Sequence, residues 1–457
     1  MAQTHRYDPR LHHRMSFAAA RKTFIDGTDT PRAYLEKCIE VIQTRDKDVK
    51  AFVSTHIPNA RAAADASTER YRKGRPLSGL DGLPIGIKDL FETQDMPTQM
   101  NSPLFSDWHT GRDSAHVYVL RRAGALIVGK TVTTEFAQAT PGPTRNPFDL
   151  SRTPGGSSSG SCAAVGASML PVATGSQVRG SIIRPAGYCA NYALKPTFGA
   201  LNQQGGHGLA APSQCVLGPI AATLEDCWEV GFFISARAGG DPGYPGLYGE
   251  PTLRTSKKIN RLIRLETLGW DSIEPEARDE FERFIAAIKK LGVEVVSRRD
   301  DKRVEALESA MRSIPNFMLP IFRWEMRWPG WVFRDRGEHL LADSVRERLA
   351  RGDEMSIEDY RKALSQRAEL VRLFTAAAET GDAFVTLCSQ GPAPVGMPVG
   401  DPVFSDVPSN TLAPAYALPL LAVNGLPLGV QLIGLPHTDY ELGRQARWLS
   451  ETYLGQT

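Results

Sequence analysis

Cysteine is scarce in this chain and never paired. Six cysteines, at 38, 162, 189, 215, 227 and 388, are scattered over 457 residues with no C-x-x-C and no tight His/Cys grouping. Such spacing argues against a zinc site and for reduced thiols in a cytoplasmic chain. An excess of one charge sign is missing too. With 53 Lys and Arg against 51 Asp and Glu, the net charge is +2, which gives no electrostatic basis for binding nucleic acid or an acidic membrane. Long hydrophobic runs are absent: LAPAYALPLLAV (412–423) is too short to span a bilayer and carries two prolines. The N-terminal MAQTHRYDPRLHHRMSF is polar and lacks an apolar signal core. The expectation is a soluble cytoplasmic protein without a zinc site.

What is present suits a large globular core: 42% of residues are hydrophobic and 23% charged. Residues 31–46 (PRAYLEKCIEVIQTRD) have helical apolar spacing, and NARAAADASTERYRKG predicts a second helix. GLDGLPIGIKDLF (79–91) reads as strand and turn around Lys88. SAHVYVLRRAG then ALIVGKT, and later EARDEFERFIAAIKKLG then VEVVS, each read as helix, glycine stop and strand. This alternation predicts an α/β fold, a sheet covered by helices. Residues 300–380, dense in Arg, Glu and Trp, read as a helical elaboration capping the sheet. No repeat or Pro/Ser linker divides the chain, so the expected organisation is a polar tail (1–20) and one domain (21–457).

Three motifs compete for the chemistry. GALIVGKT (124–131) fits the phosphate-loop pattern, but Ala-Leu-Ile-Val between its glycines prefers a buried strand. It is therefore read as a strand with a surface lysine, Lys130. GSSSG (156–160) fits the nucleophile elbow with Ser158 at its centre. That reading needs a later histidine, and His437 in GLPHTDYELG carries no mark of a base. The third candidate joins Lys88 in GIKD, Ser157 in PGGSSSGS and Ser181 in RGSIIRPA. A serine hydroxyl needs a base, and a lysine in an apolar setting can serve once burial disfavours its ammonium form. Alone, Lys88 would more simply pair with Asp89.

Together these pieces resemble the amidase signature family. PGGSSSGSCAAVGA resembles its signature helix entry, GSQVRGSIIRPAGYCANYALKPTFG its nucleophile segment, GLPIGIKD its lysine segment and GLPLGVQLIG (425–434) its C-terminal strand. Likeness runs from about residue 30 to 450 and is weakest between 240 and 380. Within the family, SIIRPA and GSQ most resemble malonamidase-type amidases. The resemblance implies a large mixed central β-sheet with helices on both faces and a Ser-cisSer-Lys triad. Ser181 would be the nucleophile, Lys88 the base, and Ser157, after a cis peptide, the relay. The backbone N–H groups of Val178, Arg179, Gly180 and Ser181 would form the oxyanion hole, with Arg184, Arg179 and Ser176 contacting substrate.

The implied activity is hydrolysis of a small linear carboxamide, carboxylate-bearing as one branch of the expectation, through an acyl-serine and with no metal or cofactor. A homodimer acting on a small-molecule amide is the expected assembly. An amidase-type subunit of a tRNA-dependent amidotransferase and a non-catalytic homologue are the alternatives. Many family members have Asp-Thr-Gly-Gly-Ser where this chain has Gln177-Val178-Arg179-Gly180-Ser181. Arginine would strain a loop that needs φ > 0. Its side chain either enters the acyl pocket to clamp a carboxylate or turns outward, solvated or structurally paired. Arg184 is read as a carboxylate contact, against the simpler reading of a buried ion pair. Phe317-Met318-Leu319 is apolar where the malonamidase pattern carries a polar helper. Trp324, Trp328 and Trp331 either admit a bulkier acyl or amine group or form cap core.

Overall fold

The computed structural model describes residues 6–12, 15–206, 208 and 211–455. Eleven strands among them form one sheet: β1 (Phe52–Thr55), β2 (Pro84–Lys88), β3 (Leu126–Thr131), β4 (Val172–Gln177), β5 (Tyr192–Lys195), β6 (Val216–Ala221), β7 (Arg261–Arg264), β8 (Glu294–Val296), β9 (Ala383–Leu387), β10 (Ala415–Val423) and β11 (Leu426–Ile433). Their order is β1-β3-β2-β4-β6-β5-β10-β11-β9-β7-β8. Parallel pairs β2/β3, β2/β4, β7/β9 and β7/β8 sit beside antiparallel ones, so the sheet is mixed. PIGIK, LIVGKT and VATGSQ are buried at every position. Strands covered by helices on both faces read this way, without alternation.

The helix–glycine–strand units behave as their sequences suggest. Helix Ala115–Arg122 leads through Gly124, at φ +91°, into β3, and helix Pro275–Lys290 leads through Gly292 into β8. GALIVGKT is therefore a buried strand, as its apolar filling requires. Its lysine differs from expectation: Lys130 is fully buried, because Asp89 pairs with it at 2.8 Å.

Residues 302–378 form the cap from helices Lys302–Met311, Ile314–Glu325, Arg327–Gly337, Asp343–Asp353 and Ile357–Ala378. Phe317, Met318, Ile321, Leu370 and Phe374 are buried in one apolar cluster there. The cap is tied to the loop after β3. Arg348 Nη1 donates to Gln138 Oε1 at 2.6 Å, the Thr140 and Ser344 hydroxyls lie 3.0 Å apart, and the Ala342 N–H donates to Glu135 at 3.3 Å. At the chain start, helix Phe17–Ile25 begins inside the stretch expected to be a tail. Tyr7 in that stretch is buried, its ring against Phe148 and its hydroxyl donating to the Pro419 carbonyl at 2.7 Å. Among the described residues, no helix is long and apolar enough to cross a membrane.

Candidate active site

Lys88 ends β2, between β3 and β4, where no solvent reaches it. Its Nζ lies 2.7 Å from Ser157 Oγ, 3.0 Å from Ser158 Oγ and 2.9 Å from Ser176 Oγ. Among the described residues, no carboxylate pairs with it. Burial, which disfavours the ammonium, pushes the Lys88 pKa down to about 7. The simpler pairing with Asp89 does not occur. Asp89 bonds Lys130 and accepts the Gln99 and Met100 N–H groups, and successive residues leaving a strand point to opposite faces.

Ser157 and Ser158 precede helix Ser159–Gly166. The Gly156–Ser157 peptide bond is cis. The helix starts close against the sheet because residue 160 is glycine. A Cβ there would lie 2.2 Å from the Ala51 carbonyl oxygen and 2.3 Å from the Val132 nitrogen. Ser158 has Lys88, not a histidine, beside it. His437 packs edge-on against Tyr248 and its N–H donates to Thr197, so GSSSG has no elbow base.

Ser181 sits in the loop between β4, which ends at Gln177, and helix Ile183–Tyr188. Gln177 shapes this loop. Its Oε1 accepts the Ile182 and Ile183 N–H groups at 2.8 and 3.0 Å, and its Nε2 donates to Ser409 Oγ at 3.1 Å. The Ser409 hydroxyl in turn donates to the Arg179 carbonyl at 2.6 Å. Arg179 is held by the same short helix, Asp406–Asn410, through Nε and Nη2 bonds of 2.9 and 2.7 Å to buried Asp406. Its carboxylate-binding fork is thus occupied from within the chain, against the substrate-clamp branch of the expectation. Neither Arg179 nor Gly180 has positive φ, so arginine fits here without the strain anticipated. The backbone N–H groups of Val178 to Ser181 have no acceptor among the described residues. Gly180 is kept small by neighbours: a Cβ would meet Pro402 at 3.0 Å.

Arg184, one turn further on, is 3% exposed and pairs with no carboxylate among the described residues. Its Nη2 donates to the Gly156 carbonyl at 2.5 Å, while Nε and Nη1 are buried without a partner. Burial, with Arg179 as a like charge nearby, pulls its pKa down to about 10, still protonated at neutral pH. It lines a cavity of about 140 Å³ that also touches Ser181, Arg348, Leu319 and Phe322. On the other side of Ser181 lies a cavity of about 620 Å³, reaching Ser157, Ser176, Phe91, Phe198 and Trp328. Trp324 instead stacks on Tyr360 within the cap, and Trp331 bonds Asp353.

The structure thus brings together Lys88, Ser157, Ser176 and Ser181, with Arg184 beside them. Sequence reading missed Ser158 as a lysine partner, although it adjoins Ser157. It also missed Asp406, Ser409, Gln138 and Arg348, which no local pattern marks because they arrive from distant segments.

Over residues 33–442 the sequence matches the family described as Amidase. Curated relatives include a glutamyl-tRNA(Gln) amidotransferase subunit from Chloroflexus aggregans, 31% identical over 473 residues, 94% of this chain and 95% of the relative. The corresponding protein of Symbiobacterium thermophilum is 31% identical over 467 residues, 94% of each chain. These relatives are amidotransferase subunits and not malonamidases, so they support the wider family and not the narrower likeness. A solved structure described as an amidase superposes with a TM-score of 0.83 at 26% identity, covering 96% of this chain and 100% of that one. The native peptide amidase from Stenotrophomonas maltophilia, at 24% identity, shares the fold with a TM-score of 0.79 over 97% of this chain and 98% of that one. With its mixed sheet and its lysine–serine cluster lying inside the matched segment, the chain belongs to the amidase family and is an enzyme of amide C–N bonds.

Proposed function

We propose that the chain is an amidohydrolase that cleaves a small linear amide through an acyl-Ser181 intermediate, without a partner subunit. The observation that carries this reading is Lys88, fully buried with no described carboxylate beside it and 2.7 Å from Ser157 Oγ. As Ser181 Oγ attacks the carbonyl carbon, its proton passes through Ser157 to neutral Lys88. The N–H groups of residues 178–181 receive the oxyanion, each such donor being worth roughly 3–4 kcal/mol. The C–N bond breaks with its electron pair on nitrogen, which takes the proton back. Water then opens the ester.

The narrower likeness to malonamidase-type amidases rests on Arg184. Two of its donors are buried without partners beside a cavity that reaches Ser181. An unmatched buried guanidinium is costly unless an anion meets it, and a carboxylate fits its fork. Arg348, in the same cavity, adds a second cation. A carboxylate-bearing amide is accordingly the favoured substrate class. The test is ammonia or amine release from a panel of acidic and neutral amides, with Ser181→Ala as control. Equal rates for wild type and variant on every amide would overturn the hydrolase.

A second reading is favoured by the curated relatives, which are amidotransferase subunits. There the chain would pass its nitrogen to a partner. Amide hydrolysis only after a partner is added, or stable co-purification with one, would decide for it.

A further inference from the structure

Two cavities meet at Ser181, and their walls differ in kind. Val178, Ala137, Gln138 and Ser181 line both. Ser157 and Ser176 line only the large one, whereas Gly180, Arg179 and Arg184 line only the small one. Resting on the amidohydrolase reading, we propose that the substrate is a secondary amide, with a short carboxylate-bearing acyl half in the small cavity and a bulky apolar amine half in the large one.

Proton traffic fixes the direction. The hydroxyl that takes the proton from Ser181 must return it to the departing nitrogen, since the same relay serves both halves of the step. Of these two cavities Ser157 lines the large one, so the nitrogen and its substituent lie there. The acyl carbon, bonded to Ser181 Oγ, extends its chain away from the leaving group and into the small cavity.

Size and chemistry agree with that direction. The small cavity, about 140 Å³ against about 620 Å³ for the large one, suits the shorter half of the substrate. Leu319 and Phe322 offer the methylenes an apolar wall, and Arg184 and Arg348, which line the same cavity, supply two cations for the carboxylate. The larger cavity, about 620 Å³, is of the size that encloses drug-sized apolar groups. Leu90, Phe91, Phe136, Phe198 and Trp328 line it, and ammonia would leave nearly all of it empty. The reaction balances as amide plus water giving a short dicarboxylic acid and an apolar primary amine. The C–N pair leaves with nitrogen, and both Ser181 and Lys88 return to their starting protonation.

The test uses the intact enzyme and four amides: N-benzylsuccinamate, succinamate, N-benzylbutyramide, and 3-phenylpropionyl-β-alanine, in which acid and ring exchange sides. N-benzylsuccinamate is expected to have the highest kcat/KM, about 30-fold above succinamate from burial of its ring, and Trp328→Ala is expected to shrink that ratio. Acid-quenched protein should carry the mass of the short acid half on Ser181. Equal rates for primary and N-benzyl amides, preference for the reversed amide, or an adduct bearing the aromatic half would overturn the proposal while leaving the amidohydrolase intact. Hydrolysis of none of the four would overturn the amidohydrolase and this assignment with it.

Discussion

Two cations are buried on either side of the Ser181 loop, and the fold treats them in opposite ways. Lys88 is surrounded by three hydroxyls from its own chain, and its pKa falls to about 7. Arg184 keeps two donors unmatched, and its pKa, about 10, stays above any working pH. Hydroxyls can hydrogen-bond an amine in either protonation state, so Lys88 is built to exchange a proton. A guanidinium cannot give up its charge under these conditions, so Arg184 is built to hold an anion. Burial alone therefore does not define a cation's role; its partners do. Lys130 completes the contrast: with Asp89 at 2.8 Å it is a structural pair and neither base nor clamp.

The sharpest way to break the contrast is at Lys88. Lys88→Met should cost roughly ten-thousand-fold in kcat, the scale seen when one member of such a catalytic unit is lost. In the wild type, the base works only when neutral. kcat/KM should therefore rise with pH up to about 7 and level off above it, falling about tenfold per unit on the acid side. A flat profile from pH 5 to 9 would remove Lys88 from the base role.

Arg184→Gln probes the other side. For a carboxylate-bearing amide KM should rise about 30-fold or more, the lower end of the loss seen when one partner of a buried charge pair is removed. Neutral amides should change little. An equal effect on both would make Arg184 a brace for the Gly156 carbonyl, which it already bonds at 2.5 Å, and nothing more.

The smallest effect is expected at Asp406→Asn, which leaves Arg179 without its anion. Arg179 is one-third exposed at the side chain, so solvent softens the loss to about 1–2 kcal/mol, read as a lower urea midpoint. A few-fold drop in kcat with little change in KM should accompany it, because the oxyanion N–H groups lose their tether. A drop in KM selectivity for acidic amides would instead return Arg179 to the substrate.

Much of the fold was legible because its elements advertise themselves. PIGIK and ALIVGKT are dense apolar runs, and the helix before each glycine stop has the spacing of one buried face. The lysine and serine segments were also legible, since each carries an unusual local pattern. Lys130 reads as a surface residue for a physical reason: nothing in GALIVGKT says that Asp89, 41 positions earlier, will neutralise it. Ser158 reads only as an elbow candidate, because its distance to Lys88 depends on how helix Ser159–Gly166 meets the sheet.

The sequence by itself determined the α/β layering, the strand that ends in Lys88, the serine-rich helix entry and the Ser181 loop. These depend on local periodicity and on small residues whose need for close approach is written in the residue type. Only the tertiary structure decided the fate of Arg179. Asp406 and Ser409, more than 220 residues away in the chain, hold its side chain and its carbonyl. It likewise left two nitrogens of Arg184 unmatched and divided the space around Ser181 into a small cationic cavity and a large apolar one. Charge pairing and cavity shape depend on which distant segments meet, and no local stretch of sequence carries that information.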